Sequence, residues 1–348
     1  MPEWKTTVAP EVEARILAAA DHREGDRVPI WDYIENPAVF DHFRRDGEGP
    51  HATMARVYSE LGIDVCRGYA FPGQKTTADR HRGSSDQGED AKRSLERELS
   101  DKGVGDDEWA DFGAGLLREY REMRDNLAPR TMFVPAGGTG LTALYSSIGL
   151  ERFCILLKDH PGLTGEVLRR RASANARWTR LVARERLCPL FFLGEDIGAR
   201  DSLLFSPDWL RQHFIPAVRQ TAEPLINVGV KVVFHSDGYL MEILDDLLDA
   251  GIDGLNPIEP LAGMDIAYLK RRYGDRLILV GNVDSSRLLP SGSVDDVRCA
   301  VRECIRAASQ GGGHFIGSSG EVTPVVPLEN VLAFYDACRE FGRYPIQV

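Results

Sequence analysis

Eight short apolar, β-rich runs recur along the chain, at 28–32, 63–69, 131–136, 190–195, 230–235, 254–258, 277–280 and 314–317, with longer amphipathic stretches between them. Strands separated by helix-length segments are joined by crossovers, and crossovers make neighbouring strands parallel. The patterning predicts helices over 207–227, 239–250, 262–273 and 293–310. The last opens on Ser293 with Asp295 and Asp296 in its first turn, where the helix dipole favours negative charge. Gly229, Gly251 and Gly274 follow the other three, at positions suited to a left-handed C-terminal residue. Eight strands with helical crossovers predict a closed TIM (β/α)8 barrel rather than a doubly wound open sheet. A chain of 348 residues with 43% hydrophobic content can fill such a barrel as one domain, 1–348, with an N-terminal extension before the first strand.

One segment departs from the alternation. Residues 74–107, after the second strand, are polar, charged and glycine-rich, and read as a long loop or lid with a short surface helix near 91–99. The glycine clusters at 137–140 and 311–313 lack the Lys-Ser/Thr ending of a phosphate loop and read as turns. A formal net charge of −11 argues against nucleic acid and anionic membranes as partners, and favours small-molecule chemistry. Six scattered cysteines with no Cys-x-x-Cys pair, a polar start at 1–7 and no long apolar span lead us to expect reduced thiols and a cytoplasmic location. Self-association into a homo-oligomer is left open.

In a barrel the residues leaving the C-terminal ends of the strands converge on one mouth. Here they are Asp32, Glu195, Asp196, His235, Asp237, Asn256, Glu259, Asn282, Asp284, Ser318, Ser319 and Glu321. Residues two apart on a strand face the same side, so His235 and Asp237 can point together into the mouth. Imidazole and carboxylate suit a divalent metal (zinc, iron or manganese), with Glu259 or Glu321 as further ligands; the alternative is a metal-free pair that positions substrate. Only one of the neighbours Glu195 and Asp196 can look inward while the strand lasts, and either could act as acid or base or serve an ion pair. Asn282 and Asp284 form another same-face pair, suited to binding substrate or to capping the segment that follows.

Five stretches together resemble the uroporphyrinogen decarboxylase superfamily. They are Gly194-Glu195-Asp196-Ile197-Gly198, His235-Ser236-Asp237-Gly238, Ala250-Gly251-Ile252-Asp253-Gly254-Leu255-Asn256-Pro257, Gly281-Asn282-Val283-Asp284 and Pro327-Leu328-Glu329-Asn330-Val331. The resemblance implies a TIM barrel and one of two chemistries. One branch decarboxylates uroporphyrinogen without a cofactor; the other contains corrinoid-linked methyltransferases in which zinc activates a thiol. Decarboxylases carry an arginine-rich segment after the first strand, whereas this chain reads Asp32-Tyr33-Ile34-Glu35-Asn36. The decarboxylase aspartate falls at or near Phe71, and Tyr145 matches the family's tyrosine. An acidic first loop would repel a substrate bearing many carboxylates.

The methyltransferase branch is implied to bind zinc through His-x-Cys on the fifth strand and a cysteine after the eighth; these places hold His235, Asp237 and a position near Gly320. Cobalamin-independent methionine synthases, also similar, add a glutamate ligand, for which Glu259 is placed. The expectation is methyl transfer between a small methylated substrate and a corrinoid protein. His235 and Asp237 would hold metal or donate a proton, with Glu195 or Asp196 assisting. Asp32, Tyr145, Asn256, Asn282, Asp284, Ser318 and Ser319 are expected around the substrate. The runner-up is a metal-free decarboxylase or lyase acting on a small carboxylated substrate.

Overall fold

The computed structural model describes residues 4–67, 91–101, 103 and 105–347. Two parallel sheets carry the regular strands. One pairs β1 (Val65–Arg67) with β2 (Met132–Val134); the other runs β3 (Ala136–Gly137), β4 (Leu190–Gly194), β5 (Lys231–His235), β6 (Gly254–Asn256), β7 (Ile278–Val280) and β8 (His314–Phe315). Pro135 separates β2 from β3 because it has no amide hydrogen to donate, yet its carbonyl accepts from Phe192 N at 3.0 Å, so 132–137 acts as one stave.

The ring closes through residues 28–32. Ile30 bridges Ile316 beyond β8, and Trp31 bridges Val65 of β1, both in parallel. The Trp31 amide donates to Ile316 O and the Val65 amide to Ile30 O. Over their described residues, the eight predicted runs therefore serve as staves of one parallel, TIM-barrel-like ring.

Alternation along each stave divides the apolar side chains into two sets. Trp31, Val65, Met132, Val134, Leu190, Phe192, Val233, Ile278, Val280 and Phe315 fill the barrel interior. Their neighbours Ile30, Cys66, Phe133, Phe191, Leu193, Val232, Phe234, Leu279 and Ile316 face the surrounding helices. On β6 the inward position is Gly254, where a Cβ would lie 3.0 Å from Ile278 Cβ and 3.1 Å from Val233 Cγ2.

The N-terminal extension forms the helix Pro10–Ala20, whose Val12, Ile16, Ala19 and Ala20 join the interior set and stopper the end opposite the mouth. Buried Asp64 ties it there, accepting from Arg15 at 2.5 Å and Arg27 at 2.7 Å.

Several expectations need adjustment. The predicted 207–227 helix is Pro207–Trp209, a π-helical turn Leu210–Phe214 and Ile215–Ile226. The predicted 239–250 helix contracts to Leu244–Asp249, and 262–273 to Ile266–Tyr273, which Asp265 caps. Gly229 and Gly251 take positive φ, but Gly274 remains right-handed at −66°, because the chain continues into a turn in which Arg276 N bonds Tyr273 O. Ser293 and Asp296 form a reciprocal capping box on Val294–Ala308.

Of the polar 74–107 segment, residues 74–90 lie outside the described residues. The rest contributes the helix Ala91–Ser100 and the start of a second one, Asp106–Leu127. The position at Phe71 also lies outside the described residues. Among the described residues no helix is long and apolar enough to cross a membrane, and all six cysteines are free.

Candidate active site

The inward phase of the staves continues past their ends. His235 stands two residues beyond Val233, and Asn256 two beyond Gly254, so both enter the mouth. His235 Nδ1 and Asn256 Oδ1 are 2.7 Å apart. With the amide oxygen accepting, Nδ1 carries the hydrogen and Nε2 offers a lone pair. That nitrogen faces Asp196 Oδ1 at 3.7 Å. Asp196 in turn accepts from the Asp237 amide at 3.3 Å. One ligand atom each from Asp196, His235 and Asp237 lie within 4.8 Å of one another.

The electrostatics follow from this crowding. Burial, then the positive charge of Arg67, holds the His235 imidazole down to about 3. Asp237 stands at the rim, but the walls of the mouth desolvate it and Asp196, Glu321 and Glu259 repel its charge, raising it to about 7. Burial also raises Asp196. Three acceptors thus face one another, an arrangement that a proton or a cation would relieve.

Glu195 takes the other phase. Its buried carboxylate accepts from Thr139 Oγ1 at 2.7 Å, Gly140 N at 2.6 Å, Leu141 N at 3.2 Å and Thr142 N at 2.6 Å. It thereby fills the N-terminus of the helix Leu141–Ile148. The glycine cluster at 137–140 makes room for this: a Cβ on Gly138 would lie 2.6 Å from Glu195 Oε1.

Other residues expected at the mouth divide by what they touch. Asp32 and Ser318 come together: Asp32 accepts from Ser318 Oγ at 2.8 Å and from Tyr335 Oη at 2.9 Å. Burial raises its carboxyl to about 6. Asn282 Nδ2 donates to Ile258 O at 2.8 Å, and its oxygen accepts from the buried Cys304 thiol at 3.5 Å. Asp284 caps its own turn through the amides of Ser286 and Arg287, and Ser319 Oγ accepts from Ser285 N. Glu259 accepts from the Gly238 amide at 2.9 Å, and Glu321 pairs with Arg67. The structure thus brings Asp196, rather than Glu259 or Glu321, into the group with His235 and Asp237. Tyr145 reaches that group's edge, its hydroxyl donating to Asp196 O at 3.1 Å.

Arg67 was not anticipated. It ends β1 two residues after the inward Val65, and this same-face spacing is the signal that locates it. Its buried guanidinium lies 4.7 Å from the Phe192 ring centroid and 5.9 Å from that of Tyr33.

Two carboxylates and a neutral imidazole form a hard, oxygen-rich donor set, which fits zinc, iron or manganese and contains no thiolate. Cys304, held to a thiol by burial that raises it to about 12, is turned to Asn282 instead.

The family model described as uroporphyrinogen decarboxylase (URO-D) matches residues 116–341. Methylcobamide:CoM methyltransferase MtaA of Methanosarcina barkeri is 31% identical over 138 residues, covering 40% of this chain and 38% of that protein. Uroporphyrinogen decarboxylase of Coxiella burnetii is also 31% identical, over 141 residues, 40% of this chain and 36% of that protein. The chain thus spans about two fifths of the length of these relatives. Among solved structures, a methyltransferase from Methanosarcina mazei shares the fold, with a TM-score of 0.70 over 95% of this chain and 98% of that one, at 21% identity.

Proposed function

The chain belongs to the uroporphyrinogen decarboxylase (URO-D) family, and from that premise we propose that it is a methyltransferase moving a methyl group between a small methylated substrate and a corrinoid protein. The observation that carries the proposal is the convergence of acceptor atoms from Asp196, His235 and Asp237 within 4.8 Å. A proton-transfer site alone needs one acid or base, whereas two carboxylates and a neutral imidazole converging on one place match the three protein ligands of a divalent cation. Identity does not choose between the branches, since a methyltransferase and a decarboxylase both stand at 31%. The first loop supports the choice: Asp32 is turned inward to Ser318 and Tyr335, and no arginine stands at 32–36 to grip a polycarboxylate.

A divalent cation held by Asp196, His235 and Asp237 would supply Lewis acidity toward the heteroatom that carries the methyl group. The remaining roles belong to the chain itself. Asn256 fixes the imidazole so that Nε2 faces the mouth. Tyr145 and the Asp237 amide hold the two ends of Asp196, its carbonyl and its carboxylate. Without thiolates the site suits an oxygen or nitrogen leaving group better than an activated thiol.

The runner-up, a metal-free decarboxylase or lyase, draws on Asp237, which at about 7 is poised to donate a proton at neutral pH. Elemental analysis separates the two. Protein purified without chelator or metal-binding tag is expected to hold near-stoichiometric metal, lost in His235→Ala and Asp196→Ala together with methylation of cob(I)alamin by methylated donors. If the protein binds no zinc, iron or manganese even when these are supplied, the methyltransferase reading fails and Asp237 is to be tested as the acid of a lyase.

A further inference from the structure

We propose that Arg67 anchors a carboxylate of the substrate, so that the methylated compound entering this mouth is a small organic acid, and that Glu321 fills the anchor until the acid displaces it. The inference rests on the methyl-transfer reading and adds the substrate class to it.

The placement is specific. Arg67 takes the inward phase of β1, and its guanidinium carbon stands over aromatic rings, 4.7 Å from the centroid of Phe192 and 5.9 Å from that of Tyr33. Phe192 is also the neighbour of His235, with ring centroids 5.1 Å apart. A carboxylate on Arg67 would therefore leave the rest of a short molecule beside the Asp196, His235 and Asp237 group. Guanidinium edges match a carboxylate in a fork that an amide cannot reproduce. Among the described residues, three other donors at the mouth serve protein acceptors: Ser318 Oγ bonds Asp32, Asn282 Nδ2 the Ile258 carbonyl and Tyr145 the Asp196 carbonyl.

The pair with Glu321 is unequal. The Arg67 side chain is 7% exposed and that of Glu321 35%, on the stretch that follows β8. Glu321 can return to water while Arg67 cannot. An incoming carboxylate would replace it without changing the net buried charge, which avoids the large cost of stranding a buried guanidinium. A purely structural strap between the β1 stave and the last loop would bind no ligand, and the test below reads that difference.

The experiment is calorimetric binding to the full-length, metal-supplied protein with two matched probe pairs: methoxyacetate against methoxyacetamide, and 3-methoxybenzoate against 3-methoxybenzamide. At least one acid is expected to bind about tenfold or more tightly than its amide, the scale of a forked charge-assisted pair. Arg67→Ala should shrink that preference to about twofold or less while metal content stays unchanged. Glu321→Gln, which removes the competitor and keeps the fold of the loop, should tighten acid binding several-fold and leave the amides unaffected. Equal binding of acid and amide, no binding by either acid, a preference that survives Arg67→Ala, or weaker acid binding in Glu321→Gln would each overturn the proposal. Binding is read without turnover or corrinoid. An Arg67-dependent acid preference in a protein that transfers no methyl group would therefore sink the methyl-transfer reading and leave the anchor standing.

Discussion

Removing the Glu195 carboxylate tests whether a conspicuous acid beside the active site does chemistry or holds a helix. In Glu195→Ala the amides of Gly140, Leu141 and Thr142 and the Thr139 hydroxyl lose their common acceptor. Each orphaned buried donor costs about 1–3 kcal/mol, and their costs overlap because one water can serve two of them. Taking the low end for the three amides gives roughly 3 kcal/mol of destabilisation. With an unfolding entropy of about 2.1 cal/mol/K per residue, a chain of this length should lose about 4 °C in Tm. Differential scanning calorimetry on the wild type, Glu195→Ala and Glu195→Gln measures this, with metal content followed in parallel. The Gln variant keeps one acceptor oxygen but turns an amide group toward backbone donors, so it should fall between the other two. If Glu195→Ala melts with the wild type yet loses all activity, the carboxylate is a working acid or base and the structural assignment is refuted.

Three further outcomes follow from the same geometry. Asp64→Ala takes the carboxylate partner from Arg27 and leaves Arg15 with Asp26 alone at the closed end of the barrel; a loss of about 3–5 kcal/mol is expected, seen as a fall of about 4–7 °C in Tm by calorimetry. Metal affinity should depend on pH through Asp237: with its acid raised to about 7, a cation must displace a proton below that pH. His235, held down to about 3, offers no competing proton. Titration calorimetry should therefore show affinity falling about tenfold per pH unit below 7 and levelling off above it, and a flat profile from pH 5.5 to 7 would contradict the assignment. Gly138→Ala places a methyl against Glu195 Oε1 and the Gly194 carbonyl. It should cost about 1–3 kcal/mol, read from the urea midpoint.

The barrel was legible because its signal is short-ranged and repeated: each stave alternates between the interior set and the helix-facing set, and eight such runs sit at crossover spacing. The longest helix, Pro161–Glu185, was not, and its composition explains why. Its buried positions include Thr164, Gly165, Ala172, Ala176, Thr179 and Ala183, small residues that pack closely but leave a weak hydrophobic period amid arginines. The contraction of the predicted 239–250 helix is of another kind. Its early residues serve the mouth, where the Tyr239 amide bonds the Ala199 carbonyl, and this long-range contact displaces the local helical pattern.

The candidate site divides along the same physical line. Same-face spacing identified His235 with Asp237 and left Glu195 and Asp196 as alternatives, of which Asp196 takes the inward phase of Phe192 and Glu195 the outward phase of Leu193. Applied to β1, that spacing carries Val65 to Arg67, a basic residue easily read as the polar end of an apolar run. What spacing cannot reveal is the partner that consumes a polar group's capacity, because that partner lies on another stave or helix. Asn282, Asp284 and Ser319 all sit at strand ends, and all bond protein groups in this structure. The acceptors of Asp196, His235 and Asp237 differ in that one atom from each lies within 4.8 Å of the others. Substitutions there should accordingly act on metal content before stability, whereas substitutions at Asn282 or Asp284 should act on stability first; paired metal and melting measurements on the two sets test that ordering directly.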